Sequence, residues 1–194
     1  LTTGEWGFRA RAGLANRAEK TIDVQYYIWE MDTTGVILGE RILRAADRGV
    51  RVRLLLDDFN TAGRDAAFAA MASHPRIEIR IYNPNLAVGV GFWRRVRNVF
   101  SDFRAINQRM HDKTAIFDRA AGITGGRNMA DEYFDFDHEY NFRDRDVLLL
   151  GPAVADMTAN FEEFWNSEFA HPVEVLLEDI GHEITAIDIE AKTR

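Results

Sequence analysis

Residues 109–128 read RMHDKTAIFDRAAGITGGRN, and the rest of the chain is best interpreted outward from this stretch. It contains a His-x-Lys-x4-Asp pattern at His111, Lys113 and Asp118, followed by Gly-Gly-x-Asn at 125–128. Only three of the 24 basic residues are lysines, so a lysine two positions after one of five histidines is a rare coincidence. The combined pattern therefore indicates a functional motif.

The motif brings together groups that suit a phosphate ester. At i and i+2 on a predicted strand, His111 and Lys113 project to the same face. The ammonium can neutralise phosphoryl oxygens, while an imidazole that titrates near neutrality can attack phosphorus or carry a proton. Gly125 and Gly126 permit a sharp turn close to an anion, and the Asn128 amide can donate to a phosphoryl oxygen. The pattern thus predicts preorganised donors around a phosphodiester.

Residue patterns on both sides of the motif predict the fold class. Alternating apolar residues predict strands near 22–28, 51–57 and 77–82, with helices near 36–48 and 64–73 between them. This alternation of strands and helices predicts an α/β fold with a mixed, mostly parallel sheet and helices on both faces.

The later part of the chain divides into a domain and a tail. Short strands are predicted at 113–117, 122–124 and 147–150, and a helix that Pro152 opens runs to about 169. The residues after it are acidic and weakly patterned. We therefore expect one catalytic domain over residues 1–170 and a linker or docking tail over residues 171–194.

Composition excludes several classes of protein. The chain has 194 residues, no cysteine and a formal net charge of -7. Without cysteine there is no thiolate nucleophile, disulfide or Cys-ligated zinc. No uncharged apolar run approaches the roughly 18 residues that span a bilayer, so we expect a soluble or peripheral protein. Residues 89–109 form a basic, aromatic segment that predicts contact with an anionic membrane surface, an amphipathic helix packed on the core being the alternative.

The motif resembles the signature of the phospholipase D superfamily, which is known by its His-Lys-Asp motif and the Gly-Gly-x-Asn turn after it. Flanking stretches resemble the bacterial cardiolipin synthase branch of that superfamily: VQYYIW at 24–29, VRLLLDD at 52–58 and GRNMADEYF at 126–134. The resemblance covers roughly residues 5–170. It implies a phospholipase D-like fold and a reaction through a phosphohistidine intermediate.

Carried onto this sequence, the resemblance implies that His111 is the nucleophile or its acid–base counterpart, and that Lys113 and Asn128 hold phosphoryl oxygens. The expected substrate-binding residues are Gly125, Gly126 and Arg109.

The resemblance also assigns roles to carboxylates. Asp118 stands among the catalytic candidates, with structural support at the far end of the motif strand as its expected role. A downstream acid orients the histidine in such sites, and Asp144 is the candidate, with Asp146 as the competitor. The chemistry implies no metal and no cofactor.

The family's active unit contains two such motifs, whereas this chain has one, because its other four histidines lack a lysine two residues on. A second half in the same longer chain is the favoured source of the missing motif, and a homodimer partner is the alternative. The isolated chain is expected to be weakly active or inactive.

These observations favour a phosphatidyltransferase of the cardiolipin synthase type, acting on a phosphatidylglycerol-like phospholipid and peripheral at the bacterial cytoplasmic membrane. A phospholipase D-type phosphodiesterase or nuclease that works as a homodimer is the alternative, although the negative net charge opposes nucleic-acid binding. A lipid-headgroup binding module without catalysis is a third hypothesis.

Overall fold

The computed structural model describes residues 1–57, 65–84 and 109–175. Within these ranges the helices are α1 (Gly4–Arg17), α2 (Thr33–Asp47), α3 (Asp65–Ala72) and α4 (Ala153–Trp165). The strands are β1 (Thr21–Tyr26), β2 (Arg51–Asp57), β3 (Ile77–Tyr82), β4 (Thr114–Phe117), β5 (Ala121–Gly125), β6 (Asp146–Leu150) and β7 (Ala170–Pro172). A single 3-10 turn over Asp131–Tyr133 follows β5.

All seven strands form one sheet in the order β6-β5-β4-β1-β2-β3-β7. Strands β1, β2 and β3 pair in parallel, and the other four pairings in the described sheet are antiparallel. The α/β class with mixed strand directions is confirmed, but the expectation of a mostly parallel sheet is wrong. Three residues join β4 to β5, which is too few for the crossover that parallel neighbours require.

Helices cover both faces of the sheet, as the sequence predicts. Ile22 and Val24 of β1 pack into a cluster with residues of α1, α2 and α3 on one face. Leu55 of β2 and Ile116 of β4 point to the other face and pack against Phe161 of α4. The alternation along each strand is therefore the physical origin of the two apolar clusters.

The predicted bounds of β2 and β3 agree with the structure, whereas the end of α4 differs. The helix stops at Trp165, and Asn166 caps it: the backbone N–H and the side-chain amide of Asn166 both donate to the carbonyl of Glu162 (3.0 and 2.8 Å). Ala170–Pro172 then pairs with β3 as the edge strand β7. The expected boundary between residues 170 and 171 falls inside this strand. Residues 176–194, the larger part of the proposed tail, lie outside the described residues, and so do residues 89–108 of the basic, aromatic segment.

One edge of the sheet gathers the sequence motif. Strands β1, β2 and β5 end at this edge, and β4 and β6 begin there. His111 and Lys113 immediately precede β4, while residues 126–128 follow β5. The topology therefore assembles at one edge residues that lie in separate parts of the chain, and we call it the motif edge.

Candidate active site

His111 and Lys113 lie side by side at the motif edge. They precede β4 in an irregular segment rather than standing within a strand. The Lys113 ammonium nitrogen, Nζ, lies 2.6 Å from the backbone oxygen of His111 and 3.3 Å from Nδ1 of its imidazole. The imidazole is exposed, whereas Lys113 is only 5% exposed. A solvent-accessible ring thus stands beside a cation that is largely removed from water.

The contact between these two residues bears on the tautomer of His111. An ammonium group has hydrogens to donate and no lone pair, so Nδ1 accepts in this contact. The proton of the neutral imidazole is then on Nε2. Attack on phosphorus through Nε2 therefore requires Lys113 to move away from Nδ1 and the proton to change nitrogen.

Burial destabilises the charged form of the Lys113 side chain. Desolvation lowers the pKa of its ammonium below the ordinary value, while the carboxylates of Asp112 and Asp144 act in the opposite direction. A poorly solvated cation interacts more strongly with an incoming anion than an exposed lysine does. The site therefore favours an anionic ligand that replaces the lost water.

Asn128 is held at the motif edge through its side-chain oxygen, which accepts the backbone N–H of Ile28 (3.1 Å), just beyond β1. Burial raises the pKa of the neighbouring Tyr133, and the Asn128 side chain acts against the rise. With its oxygen engaged, the Asn128 amide offers N–H groups to a ligand.

The two glycines are required because the chain packs closely here. A β-carbon on Gly126 would lie 2.7 Å from the carboxyl carbon of Asp144. A β-carbon on Gly125 would overlap the Asp146 carboxylate and the backbone oxygen of Arg145. Glycine is therefore needed at both positions because the chain packs closely against residues 144–146. The same packing brings the Asp144 carboxylate to the motif edge.

Asp144 and Asp146 occupy different environments. The Asp146 side chain is fully buried and pairs with Arg11 (2.8 Å) and Arg127 (3.2 Å). Asp144 is partly exposed, and its charge raises the pKa of Lys113. Of these two competitors, Asp144 is therefore the one near the motif cation and accessible to a ligand, whereas Asp146 belongs to a buried ion-pair network.

Asp118 lies at the opposite edge of the sheet from His111. Its carboxylate accepts backbone N–H groups of Glu19 (3.0 Å), Lys20 (2.7 Å) and Thr21 (2.9 Å). Burial alone would raise the pKa of Asp118, but these N–H groups and the Lys20 charge bring it below the ordinary value. This carboxylate ties the turn after β4 to the segment that joins α1 and β1.

Arg109 is anchored within the protein. Its guanidinium donates to a carboxylate oxygen of Asp57 (3.1 Å) and to the backbone oxygen of Asn83 (3.3 Å). The second oxygen of Asp57 accepts the backbone N–H of Met110 (3.0 Å). In this structure Arg109 thus fixes the entry to the motif, and its expected role in binding substrate stays a prediction.

Three residues at the motif edge have no counterpart among the candidates drawn from sequence. Asp57 binds the segment before His111, Tyr133 lies beside Asn128, and the ring of Tyr27 lies against the His111 imidazole. Asp57 ends a buried strand, where α/β sites commonly open, although its place in the sequence favours capping of the next helix. Tyr27 follows another such strand, and that position is the signal that could have identified it.

Two features are absent from the described residues. Within the described ranges, no group of three or more His, Asp or Glu side chains is arranged to hold a metal ion. None of the helices in those ranges is long and apolar enough to cross a membrane.

Comparison with known proteins identifies the family. The family model described as "Cardiolipin synthase, PLD-like domain" matches residues 13–165. The chain belongs to this family. Cardiolipin synthase C of Escherichia coli (strain K12) is 43% identical over 174 residues, which are 88% of this chain and 35% of that protein. The chain therefore spans about a third of the length of that cardiolipin synthase.

Solved structures share the PLD-like fold. Nuc of Salmonella typhimurium, a phospholipase D family member, superposes with a TM-score of 0.55 at 18% identity, covering 84% of this chain and 88% of Nuc. A phosphatidylserine synthase of Haemophilus influenzae Rd KW20 superposes with a TM-score of 0.64 at 16% identity, covering 89% of this chain and 38% of that enzyme. At these identities the likeness concerns the fold. The PLD-like unit thus corresponds to 88% of Nuc but to only 38% of the phosphatidylserine synthase.

Proposed function

We propose that this chain supplies one phosphate-binding half of a phosphatidyltransferase of the cardiolipin synthase type. The observation that carries the proposal is the buried ammonium of Lys113 against the accessible imidazole of His111. The high identity to cardiolipin synthase C over 88% of the chain supports the substrate class, a phosphatidylglycerol-like phospholipid. The expected place of action is the surface of an anionic membrane.

In the first step, a phosphodiester displaces Lys113 from the imidazole. The ammonium moves to a nonbridging phosphoryl oxygen, and the Asn128 amide donates to another. Nδ1 of His111 can then carry the ring proton and donate it toward the Asp144 carboxylate, which leaves a lone pair on Nε2. Asp144 is in this way the orienting acid.

The covalent chemistry follows from that arrangement. The Nε2 lone pair attacks phosphorus to form an N–P bond, and the P–O bond to the leaving alcohol breaks with its electron pair on oxygen. That oxygen takes a proton from an acid of a second motif. An acceptor alcohol then attacks phosphorus, gives its proton to the same group, and releases the imidazole as the N–P bond breaks.

The second motif has to come from outside the motif edge described above. The favoured source is a second half in a longer chain, since the chain corresponds to only 35% of cardiolipin synthase C. A second copy of this chain is the other source. The described residues contain one histidine with a lysine two positions on, so either source would complete the acid–base pair.

A transfer assay tests the proposal. Vesicles that contain phosphatidylglycerol labelled in the phosphate are incubated with wild-type protein, His111→Ala or the control His138→Ala, which changes an exposed histidine outside the motif, each with and without a polypeptide that supplies the complementary second motif. We expect a product with two phosphates and loss of turnover in His111→Ala alone. A rate that rises with the square of protein concentration would identify a second copy as the partner.

Two outcomes would contradict the proposal. Undiminished transfer by His111→Ala would remove His111 from the mechanism. Cleavage of DNA with no reaction on phospholipid would favour the nuclease alternative. Vesicle binding without turnover, even with the complementary second-motif half supplied, would favour the headgroup-binding module.

A further inference from the structure

Tyr27 occupies the centre of the motif edge without belonging to the motif. It is the first residue after β1 and is partly buried. Its position in the sequence, more than 80 residues before His111, gives no indication that the two side chains meet. The structure nevertheless places its ring against both motif residues that face the site.

The ring contacts His111 and Lys113 together. The ring centroids of Tyr27 and His111 are 4.9 Å apart, with a tilt of 44° between the planes. Nζ of Lys113 lies 5.5 Å from the Tyr27 ring centroid. An aromatic face attracts a cation, most strongly where water is excluded, and packing on a ring restricts the rotamers of an imidazole. One ring thus constrains the two groups that the proposed chemistry needs.

Tyr27 also faces the anchor at the entry to the motif. Burial raises the pKa of the Tyr27 hydroxyl, the Asp57 carboxylate raises it further, and the Arg109 guanidinium acts against the rise. The charges of the Asp57–Arg109 ion pair thus act on the Tyr27 hydroxyl, while the Tyr27 ring lies against His111 and Lys113. Asp57 also accepts the backbone N–H of Met110, so the same carboxylate fixes the segment before the motif.

We propose that Tyr27 is a positioning residue for phosphoryl transfer. Its ring fixes the orientation of the His111 imidazole and the position of the Lys113 ammonium beside it. This inference rests on the proposed function. Its effect is greatest when phosphate draws Lys113 away from Nδ1, because the imidazole then loses that partner and keeps the ring. The contact needed is with the ring, and the hydroxyl is dispensable for it.

Three variants separate positioning from packing. Tyr27→Phe keeps the ring, and Tyr27→Leu removes it. Tyr82→Leu is the matched control, because it removes a buried tyrosine ring from the described contacts with Phe164 and Phe169 on the same sheet. Thermal unfolding of each variant gives the folded fraction to which the other measurements are normalised.

The first measurement does not depend on turnover. Proton and nitrogen NMR of labelled histidine reports the environment of the His111 ring, with His111→Ala used to assign its signals. We expect the ring-current shift of His111 to persist in Tyr27→Phe and Tyr82→Leu and to disappear in Tyr27→Leu. On addition of inorganic phosphate, the His111 signals of Tyr27→Leu should broaden or split, because the imidazole then samples several conformers.

The second measurement is transfer by the folded protein with the complementary second-motif half supplied. We expect Tyr27→Leu to lower kcat about 10-fold to 100-fold with KM changed much less, because a misplaced nucleophile reacts slowly after binding. Tyr27→Phe should restore kcat to within about threefold of wild type, since it retains the ring.

The outcomes are distinct. An unchanged His111 shift in Tyr27→Leu, or equal losses of kcat in Tyr27→Leu and Tyr82→Leu after normalisation, would overturn the positioning role. Failure of the proposed function would appear differently, as wild-type turnover that does not depend on His111. The NMR comparison would still decide whether Tyr27 positions the imidazole.

Discussion

The two ends of β4 use motif residues for opposite purposes. At its beginning, Lys113 is removed from water and the accessible imidazole of His111 lies beside it. Just past its end, the Asp118 carboxylate accepts hydrogen bonds from the backbone N–H groups of residues 19–21. A motif that is continuous in sequence is therefore divided in space into a reactive end and a structural end. The difference predicts that substitutions at the two ends affect different measurements.

The largest expected effect is at the reactive end, in Lys113→Met. Removing a preorganised cation from a site where negative charge develops should lower kcat by about 100-fold to 1,000-fold. Lys20→Met is the matched control, because Lys20 is exposed and lies beside Asp118. Steady-state transfer kinetics check this expectation. Equal losses in the two variants would mean that the reactive end has no special role.

Two substitutions of the same chemical type compare the ends directly. Asp144→Asn should reduce kcat by about 10-fold to 100-fold, because the imidazole loses its orienting carboxylate. Asp118→Asn should leave kcat of the folded protein unchanged and lower the free energy of unfolding by about 1–3 kcal/mol, since a neutral amide is a weaker acceptor for the three N–H groups. Denaturant unfolding and transfer rates separate the two cases. The reverse pattern would show that Asp118 is the catalytic carboxylate.

The structural end should also show a characteristic dependence on pH. Since the pKa of Asp118 is lowered in the folded protein, its contribution to stability is complete above the unfolded pKa and is lost as pH falls through the folded pKa. The unfolding free energies of wild type and Asp118→Asn should therefore converge as pH falls from about 5 to about 2. A difference that stayed constant over this range would contradict the assignment.

The smallest expected effect concerns the alkaline limb of the rate profile. Activity requires charged Lys113, whose pKa burial lowers and Asp144 partly restores. In Asp144→Asn the pKa of Lys113 should fall further, so kcat/KM should decline at a lower pH than in wild type, by less than about one pH unit. Asp118→Asn should keep the wild-type limb. If kcat/KM declined at the same alkaline pH in all three proteins, loss of the Lys113 proton would not be the cause of the decline.

Local patterns were enough to predict part of the fold. Strands β2 and β3 have the predicted bounds because uninterrupted apolar and alternating residues specify buried strands. The helices on both faces follow from the same alternation. The direction of β4 relative to β1 was not predictable in this way, because it depends on how the chain returns to the sheet after residue 84, and no local period encodes that path.

The motif edge shows the same limit at the level of side chains. The short spacing of His111 and Lys113 makes their proximity predictable from sequence. The ring of Tyr27, the anchoring of Arg109 by Asp57 and the burial of Asp146 between two arginines all join distant segments. Sequence left Asp144 and Asp146 as competitors, since two residues of separation cannot show which carboxylate is enclosed.

Trapping of the covalent intermediate decides whether His111 is the nucleophile. Protein that turns over labelled phosphatidylglycerol is quenched under alkaline conditions, digested and examined by mass spectrometry. We expect an acid-labile phosphatidyl group on the peptide that contains His111, retained in Asp118→Asn and absent in His111→Ala. A label on any other residue, or active protein that never carries a group on His111, would contradict it.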